Sequence, residues 1–538
     1  MIDTYTSELA FVNRFTRALP ADKIAANYCR QVHGAAYSRT TPARVNNPQI
    51  LALNKSLATE LGLAALLDNR QALAQVLGGN SLLTGMDPYA MAYGGHQFGN
   101  WAGQLGDGRA INLGELTDLK NKHWTLQLKG AGPTPFSRHA DGRAVLRSSL
   151  REYLCSEAMF NLGVPTTRAL SLVATGDRVV RDMFYDGNPQ AELGAIVCRV
   201  SPSFVRFGNF ELPASRGDNN LLRNLLNFVI ESDWEDLAIK LKSSVSEKTT
   251  TDVYLEWFQR VCRLTQTMVV QWMRVGFVHG VMNTDNMSTL GLTIDYGPYG
   301  WADDYNPDWT PNTTDAANRR YRFGNQAAIA RWNLYQLANA IYPVVQDAEA
   351  LQQILNNLQS EYDVEFTDMM RLKLGFKHAS SCPIGLIDDL KKLLCLHATD
   401  MTLFFRLLSG FVPEDTDCHL PELLRPAFYD THEMSLETMR SYHEWETRYR
   451  DALLQDPCDQ SQRILLMNSI NPAFVPRNYL AQQAIDAAET GDMSIFAFLL
   501  STLEKPYQNP SAANAHIAAK RPQWAANKAG CSMLSCSS

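Results

Sequence analysis

The sequence predicts an α+β chain in two parts, one rich in strands and the next mainly helical. Three observations lead there. Between about residues 91 and 210, period-two stretches such as Trp124-Thr125-Leu126-Gln127-Leu128-Lys129 are separated by glycine- and proline-rich segments. Beyond about residue 211, apolar residues recur at helical spacing, punctuated by prolines such as Pro472, Pro476, Pro506 and Pro510. Within that second part, His279-Gly280-Val281-Met282-Asn283-Thr284-Asp285-Asn286 is followed nine residues after Asn286 by Asp295-Tyr296-Gly297-Pro298. Two carboxylates and a carboxamide thus fall within eleven residues.

Composition narrows the function. A chain of 538 residues with 45% hydrophobic and 20% charged residues can build more than one core. No apolar run approaches the roughly 18 residues that a membrane span needs. A formal charge of −7 argues against a general nucleic-acid binder, which carries a basic excess. Met1-Ile2-Asp3-Thr4-Tyr5 shows neither a basic nor an apolar leader pattern, and the segment is not arginine-rich, so a cytoplasmic location is expected. The ten cysteines are scattered, without C-x-x-C pairs or histidines at zinc spacing.

Residues 1–90 read as an N-terminal helical extension, with Asn54–Leu67 as one helix. Tyr93 to Arg109 holds six glycines in seventeen residues, a stretch unsuited to a helix whose backbone can approach phosphate oxygens or simply form a loop. Strands follow at 110–114 and 124–130. In the second, Leu126 and Leu128 share one face and Lys129 lies on the other with Thr125 and Gln127. The helix expected over 147–159 offers Glu152 as a partner for Lys129; a solvated lysine and a surface glutamate are the alternative. Gly132 to Arg143 is a loop dense in groups that grip phosphate or ribose. Strands are expected at 169–173 and 195–200. Arg199 and Arg206 then offer guanidinium forks for phosphate, or plain surface charge.

The apolar run 287–294 reads as a buried strand or tight hairpin doubling back near Gly291, which would bring Asp285, Asn286 and Asp295 together. Such oxygen ligands suit Mg²⁺ shared with substrate phosphates. Residues 301–325 form a polar loop that meets substrate or solvent. Helices are expected over 326–340, 351–358, 386–407, 440–454 and 479–503, with a mobile tail from Ser511.

The spacing also matches a known pattern. A protein-kinase catalytic loop reads H-R-D-x-x-x-x-N, with D-F-G further on. His279 and Asn286 are seven positions apart, and Asp295-Tyr296-Gly297 stands in the D-F-G place. The base position, however, is Val281, which accepts no proton. The expectation is therefore a protein-kinase-like bilobal fold: a β-rich nucleotide-binding N-lobe at 91–210, a mainly helical C-lobe at 211–505 and a tail at 506–538. Its metal half is intact and its usual base is missing.

Tyr93-Gly94-Gly95-His96-Gln97-Phe98-Gly99, Leu128-Lys129-Gly130-Ala131-Gly132-Pro133-Thr134-Pro135-Phe136-Ser137-Arg138, Asp141-Gly142-Arg143, His279 through Pro298 and the ending Cys536-Ser537-Ser538 together resemble the selenoprotein O family. The resemblance implies a kinase-like fold with inverted ATP and transfer of AMP to serine, threonine or tyrosine hydroxyls of proteins. It implies that Gly106, Gly108, Arg109, Asp141, Gly142, Arg199 and Arg206 bind the nucleotide, that Lys129 meets its phosphates and that Glu152 orients Lys129. Asn286 and Asp295 would hold Mg²⁺ or Mn²⁺, with Asp295 also near the nucleotide, and Asp285 would accept the proton. The expected partners are ATP and hydroxyl-bearing proteins, with no nucleic acid or membrane and a monomeric chain. Cys536 implies redox control, although 308–314 lacks the cysteine that relatives carry; Cys531 is an alternative partner. An atypical kinase and a non-catalytic nucleotide-binding regulator are the competing readings.

Overall fold

The computed structural model describes residues 10–183, 186–429 and 434–535. Its organising element is a seven-stranded sheet in the order β1-β3-β6-β7-β9-β8-β2, with every pairing antiparallel. The strands are β1 (Tyr37–Arg39), β2 (Gln49–Leu53), β3 (Tyr89–Met91), β6 (Ala110–Thr117), β7 (His123–Lys129), β8 (Arg168–Arg181) and β9 (Gln190–Ser201). A separate hairpin joins β4 (Gly94–Gln97) to β5 (Asn100–Gln104). The fold is thus mixed α+β, an antiparallel sheet with many helices.

Alternation along the strands sorts the side chains. Leu126 and Leu128 of β7 and Ile196, Cys198 and Val200 of β9 face one way, into a core closed by Leu57, Leu61, Leu73 and Leu77. Gln127 and Lys129 take the other face, with Arg199 directly across the ladder from Gln127. The helix Leu146–Asn161 packs on that face, where Leu150, Tyr153 and Leu154 join Leu172 and Val197. It is buried nearly all round, Arg147, Arg151 and Glu152 included.

Five local expectations change. Residues 1–90 are not only helical: they supply β1, β2 and β3, because Gln49–Leu53 gains hydrogen bonds from β8 that outweigh its leucine-rich composition. Asn54–Leu67 splits into a helix, Lys55–Glu60, and a short 3-10 turn, Ala64–Leu66. The stretch read as one helix over 386–407 is two, Leu386–Leu396 and Met401–Leu408, the second capped where Asp400 accepts from the Leu403 N–H at 2.9 Å. The stretch 479–503 likewise breaks at Gly491. The described part of the tail is packed rather than mobile. Ile517, Ala525 and Cys531 join the core beneath the Leu146–Asn161 helix, and Leu534 bridges Asn312. Cys536 lies outside the described residues.

The helical part centres on Glu247–Val275, which buries Trp257, Phe258 and Trp272 against Gln326–Val345 and Ala348–Lys373. At its end the chain enters β10 (Phe277–Val278), which pairs with β11 (Gly300–Trp301). That pairing pins both ends of the 279–298 segment together. No strand forms over 287–294. The chain turns at Gly291 (φ +60°), where a Cβ would meet the Leu264 carbonyl at 2.6 Å. Its two limbs bridge other segments, Ser288 to Arg206 and Thr293 to Thr166, instead of each other.

Candidate active site

One wall of the site is ionic. Lys129 Nζ lies 2.6 Å from Glu152 Oε2 and 3.7 Å from Asp295 Oδ1. Arg199 reaches Glu152 at 3.2 Å and also bonds Asp295 Oδ1, while Arg206 bonds Asp295 Oδ2. The solvated-lysine, surface-glutamate and surface-arginine alternatives are therefore set aside: Glu152, Arg199 and Arg206 are each about 1–2% exposed. Burial pushes the Asp295 carboxyl up, but Arg199, Arg206 and Lys129 together outweigh it and hold the group well below the usual range. Burial likewise lowers Lys129, against the raising effect of Glu152. Asp295 also has φ +56°, a left-handed backbone that an aspartate adopts only under constraint.

The opposite corner is poor in charge partners. Asp285 sits in the 3-10 turn Thr284–Asn286, buried against Gly95. Its Oδ2 accepts a long hydrogen bond from Gln97 Nε2 at 3.4 Å, and its Oδ1 is buried without a partner. Burial raises its carboxyl to about 7, and Arg206 only partly offsets that. Asn286 Nδ2 donates to the Val281 carbonyl at 2.9 Å, which leaves its side-chain oxygen as the atom able to ligate a cation. His279 Nε2 meets the Ile294 carbonyl at 2.9 Å, tying the 279–286 loop to the residue before Asp295.

Between these corners opens a cavity of about 750 Å³, within the roughly 300–1,000 Å³ usual for ligand sites. It brings together Gly106, Gly108, Arg109, Lys129, Asp141, Gly142, Arg199, Asp285, Asn286 and Asp295. Glu152 and Arg206 stand behind that lining, buried, and touch it through Lys129 and Asp295. Asp141 lies at the exposed rim, where Arg181 Nη2 and Nη1 reach its two oxygens at 2.7 and 2.9 Å.

Sequence reasoning missed several contributors. Asp107, 2% exposed, lines the cavity and accepts from the Met91 N–H at 2.9 Å. The stretch 93–109 is not an open loop: β4 and β5 form a hairpin that turns at Phe98 and Gly99, both at positive φ. This hairpin docks on the 283–285 segment. The Phe98 N–H donates to Asn283 Oδ1 at 3.1 Å and to the Tyr321 hydroxyl at 3.0 Å, and His96 N–H donates to Thr284 Oγ1 at 2.7 Å. Its partners are more than 180 residues away, so no local pattern could have announced them. The 301–325 loop is also less solvated than its polarity suggests, with Asn312, Asp315, Tyr321 and Phe323 buried.

Among the described residues, no helix is long and apolar enough to cross a membrane, and no cluster of three or more His, Cys, Asp or Glu could hold a metal by itself.

Comparison with known proteins fits this geometry. Residues 24–504 match the family described as protein adenylyltransferase SelO. A protein nucleotidyltransferase YdiU of Azoarcus sp. (strain BH72) is 55% identical over 530 residues, covering 98% of this chain and 99% of that one. The protein of the same description from Rhodopirellula baltica is 54% identical over 544 residues, covering 99% of this chain and all of the other. One from Xanthomonas oryzae pv. oryzae (strain PXO99A) is 54% identical over 532 residues, covering 99% of this chain. The chain belongs to the protein adenylyltransferase SelO family and is a protein nucleotidyltransferase.

Proposed function

We propose that the chain transfers AMP from ATP to serine, threonine or tyrosine hydroxyls of proteins. The observation that carries this reading is the pairing of two unlike carboxylates on one cavity: Asp295 held ionised among Arg199, Arg206 and Lys129, and Asp285 raised to about 7 with an unpartnered oxygen. A carboxylate near neutral pKa is matched to taking a proton from an alcohol. Its neighbour Val281, in the place of a kinase base, cannot do so.

In this reading the acceptor oxygen forms a bond to the α-phosphorus as the bond to the bridging oxygen of pyrophosphate breaks. The hydroxyl proton passes to Asp285. Negative charge grows on pyrophosphate, and Lys129 and Arg199, fixed in place by Glu152, are arranged to stabilise it. The donor set fits a divalent cation such as Mg²⁺ or Mn²⁺. Asn286 has its amide nitrogen fixed on Val281 and its oxygen free, and Asp295 adds a carboxylate. With so few protein ligands, Asn286 and Asp295 would hold such a cation jointly with waters and substrate phosphates. When bound, the cation would neutralise phosphate charge. The antiparallel sheet and the helices after it would then be the two lobes of a kinase-like fold, with β1, β2 and β3 added to the smaller lobe.

Incubation of a hydroxyl-bearing protein with ATP labelled at either phosphorus tests this. Label from the α position and a mass gain of one AMP are expected. Label from the γ position alone would make the chain a kinase and overturn the proposal.

A further inference from the structure

Beside Asp285, three separate parts of the chain close a ring of contacts. The His96 backbone N–H donates to Thr284 Oγ1 at 2.7 Å. The Thr284 hydroxyl donates in turn to Glu211 Oε2 at 2.5 Å. Glu211 Oε1 lies 2.7 Å from His96 Nδ1, which closes the ring. Glu211 belongs to the helix Phe207–Ser215, whose first residues follow directly on Arg206. Thr284 is fully buried and Glu211 nearly so, a burial that only a satisfied polar network tolerates. The His96 imidazole is further held between Trp101 and Trp332, with ring centroids 5.2 and 5.5 Å away.

The ring abuts the carboxylate from two segments, the 284–286 turn and β4. Thr284 immediately precedes Asp285, and His96 stands between Gly95, against which Asp285 packs, and Gln97, whose amide reaches Asp285 Oδ2 at 3.4 Å. A Cβ on Gly95 would come within 2.6 Å of Asp285 Oδ1, so β4 is as near to the carboxylate as a backbone can be.

We propose that Thr284, Glu211 and His96 are positioning residues for Asp285, clamping β4 to the 284–286 turn so that Gly95 and Gln97 fix the direction of its carboxylate. The inference rests on the adenylyl-transfer reading of the same site. None of the three needs to touch nucleotide: Thr284, Glu211 and His96 are absent from the cavity lining, whereas Gln97 and Asp285 belong to it.

Thr284→Val removes both hydroxyl bonds at constant shape, and Thr284→Ser restores them. With AMP transfer to a protein acceptor as the assay, Thr284→Val is expected to lower kcat by about tenfold or more, with KM and Kd for ATP within about twofold of wild type. Thr284→Ser is expected to recover most of the rate. Gln97→Ala removes the amide that reaches Asp285 Oδ2, at a less buried position, and is expected to show a kcat loss of the same order. A Thr284→Val enzyme with wild-type kcat overturns the inference, as does a loss of ATP binding that matches the loss of rate. So does a Thr284→Ser variant as slow as Thr284→Val. Should Thr284→Val fail to fold, a Gln97→Ala variant at full rate overturns it alone. A folded wild-type chain that binds ATP and transfers no AMP overturns the functional reading, and the inference with it.

Discussion

Two aspartates ten residues apart in sequence, Asp285 and Asp295, line one cavity yet differ in their electrostatic surroundings, Asp285 buried and Asp295 half-buried. Asp295 has a guanidinium on each oxygen and an ammonium nearby, so burial fails to neutralise it. Asp285 has one long amide contact and a bare oxygen, so burial dominates and the group is raised to about 7. The lesson is that burial sets only the direction of the penalty; the partners decide whether a carboxylate stays a fixed charge or becomes a proton acceptor.

The widest split between the two should come from removing each side chain. Asp295→Ala leaves three buried cations short of their counter-charge, and is expected to abolish transfer and lower folding stability by about 3–5 kcal/mol. Urea melts alongside the labelled-ATP assay measure both. Asp285→Asn should break the symmetry: transfer falls by about 10²–10⁴-fold while stability is unchanged or higher, since no partner loses a charge. A drop in stability as large as that of Asp295→Ala would erase the contrast. Gly95→Ala sharpens it further, displacing only the Asp285 carboxylate; transfer is expected to slow by about tenfold to a hundredfold with ATP affinity retained, measured by titration calorimetry.

The smallest effect concerns a third buried acid with no place in the cavity. Asp233 closes the helix Asn219–Asp233 with Oδ2 buried and unpartnered, although the residue as a whole is half-buried. Burial raises it from 3.8 to about 7, with Arg14 lowering and Glu115 raising it. Between those values the native state holds more proton than the unfolded chain, so this residue makes stability fall as pH rises from about 4 to 7 and level off above. Asp233→Asn should remove that slope, gaining on the order of 1–2 kcal/mol at pH 8 once residual solvent contact is allowed for, with transfer unchanged. Thermal melts across pH read it directly.

What the sequence disclosed follows the range of the interactions. The Lys129–Glu152 pair was legible because a period-two strand and an amphipathic helix each place one residue, and the geometry needs only their packing. The grouping of Asp285, Asn286 and Asp295 was legible from spacing alone, although the strand invoked to explain it is a turn whose limbs bridge Arg206 and Thr166. The Thr284–Glu211–His96 ring was not legible: His96 and Thr284 lie in distinctive motifs, but the members are 73, 115 and 188 positions apart and nothing local links them to Glu211. The tail misled by composition: alanine, serine and asparagine suggest a solvated coil, yet a few apolar residues, Ile517, Ala525 and Cys531, suffice to seat it. Strand β2 misled for the opposite reason, its leucines fitting a helix until a neighbouring strand is present.

Both rims of the main sheet are covered by chain from the first fifty-three residues, β1 against β3 at one side and β2 against β8 at the other. Each cover is short, three and five residues, and β2 carries a bulge, the usual means of discouraging further strand addition. Clipping the chain ahead of Asn54 would remove β2 and bare the edge of β8 along Ser171–Ala174. A chain lacking the early segment is therefore expected to associate through that newly exposed strand edge, read as a larger species by size-exclusion chromatography.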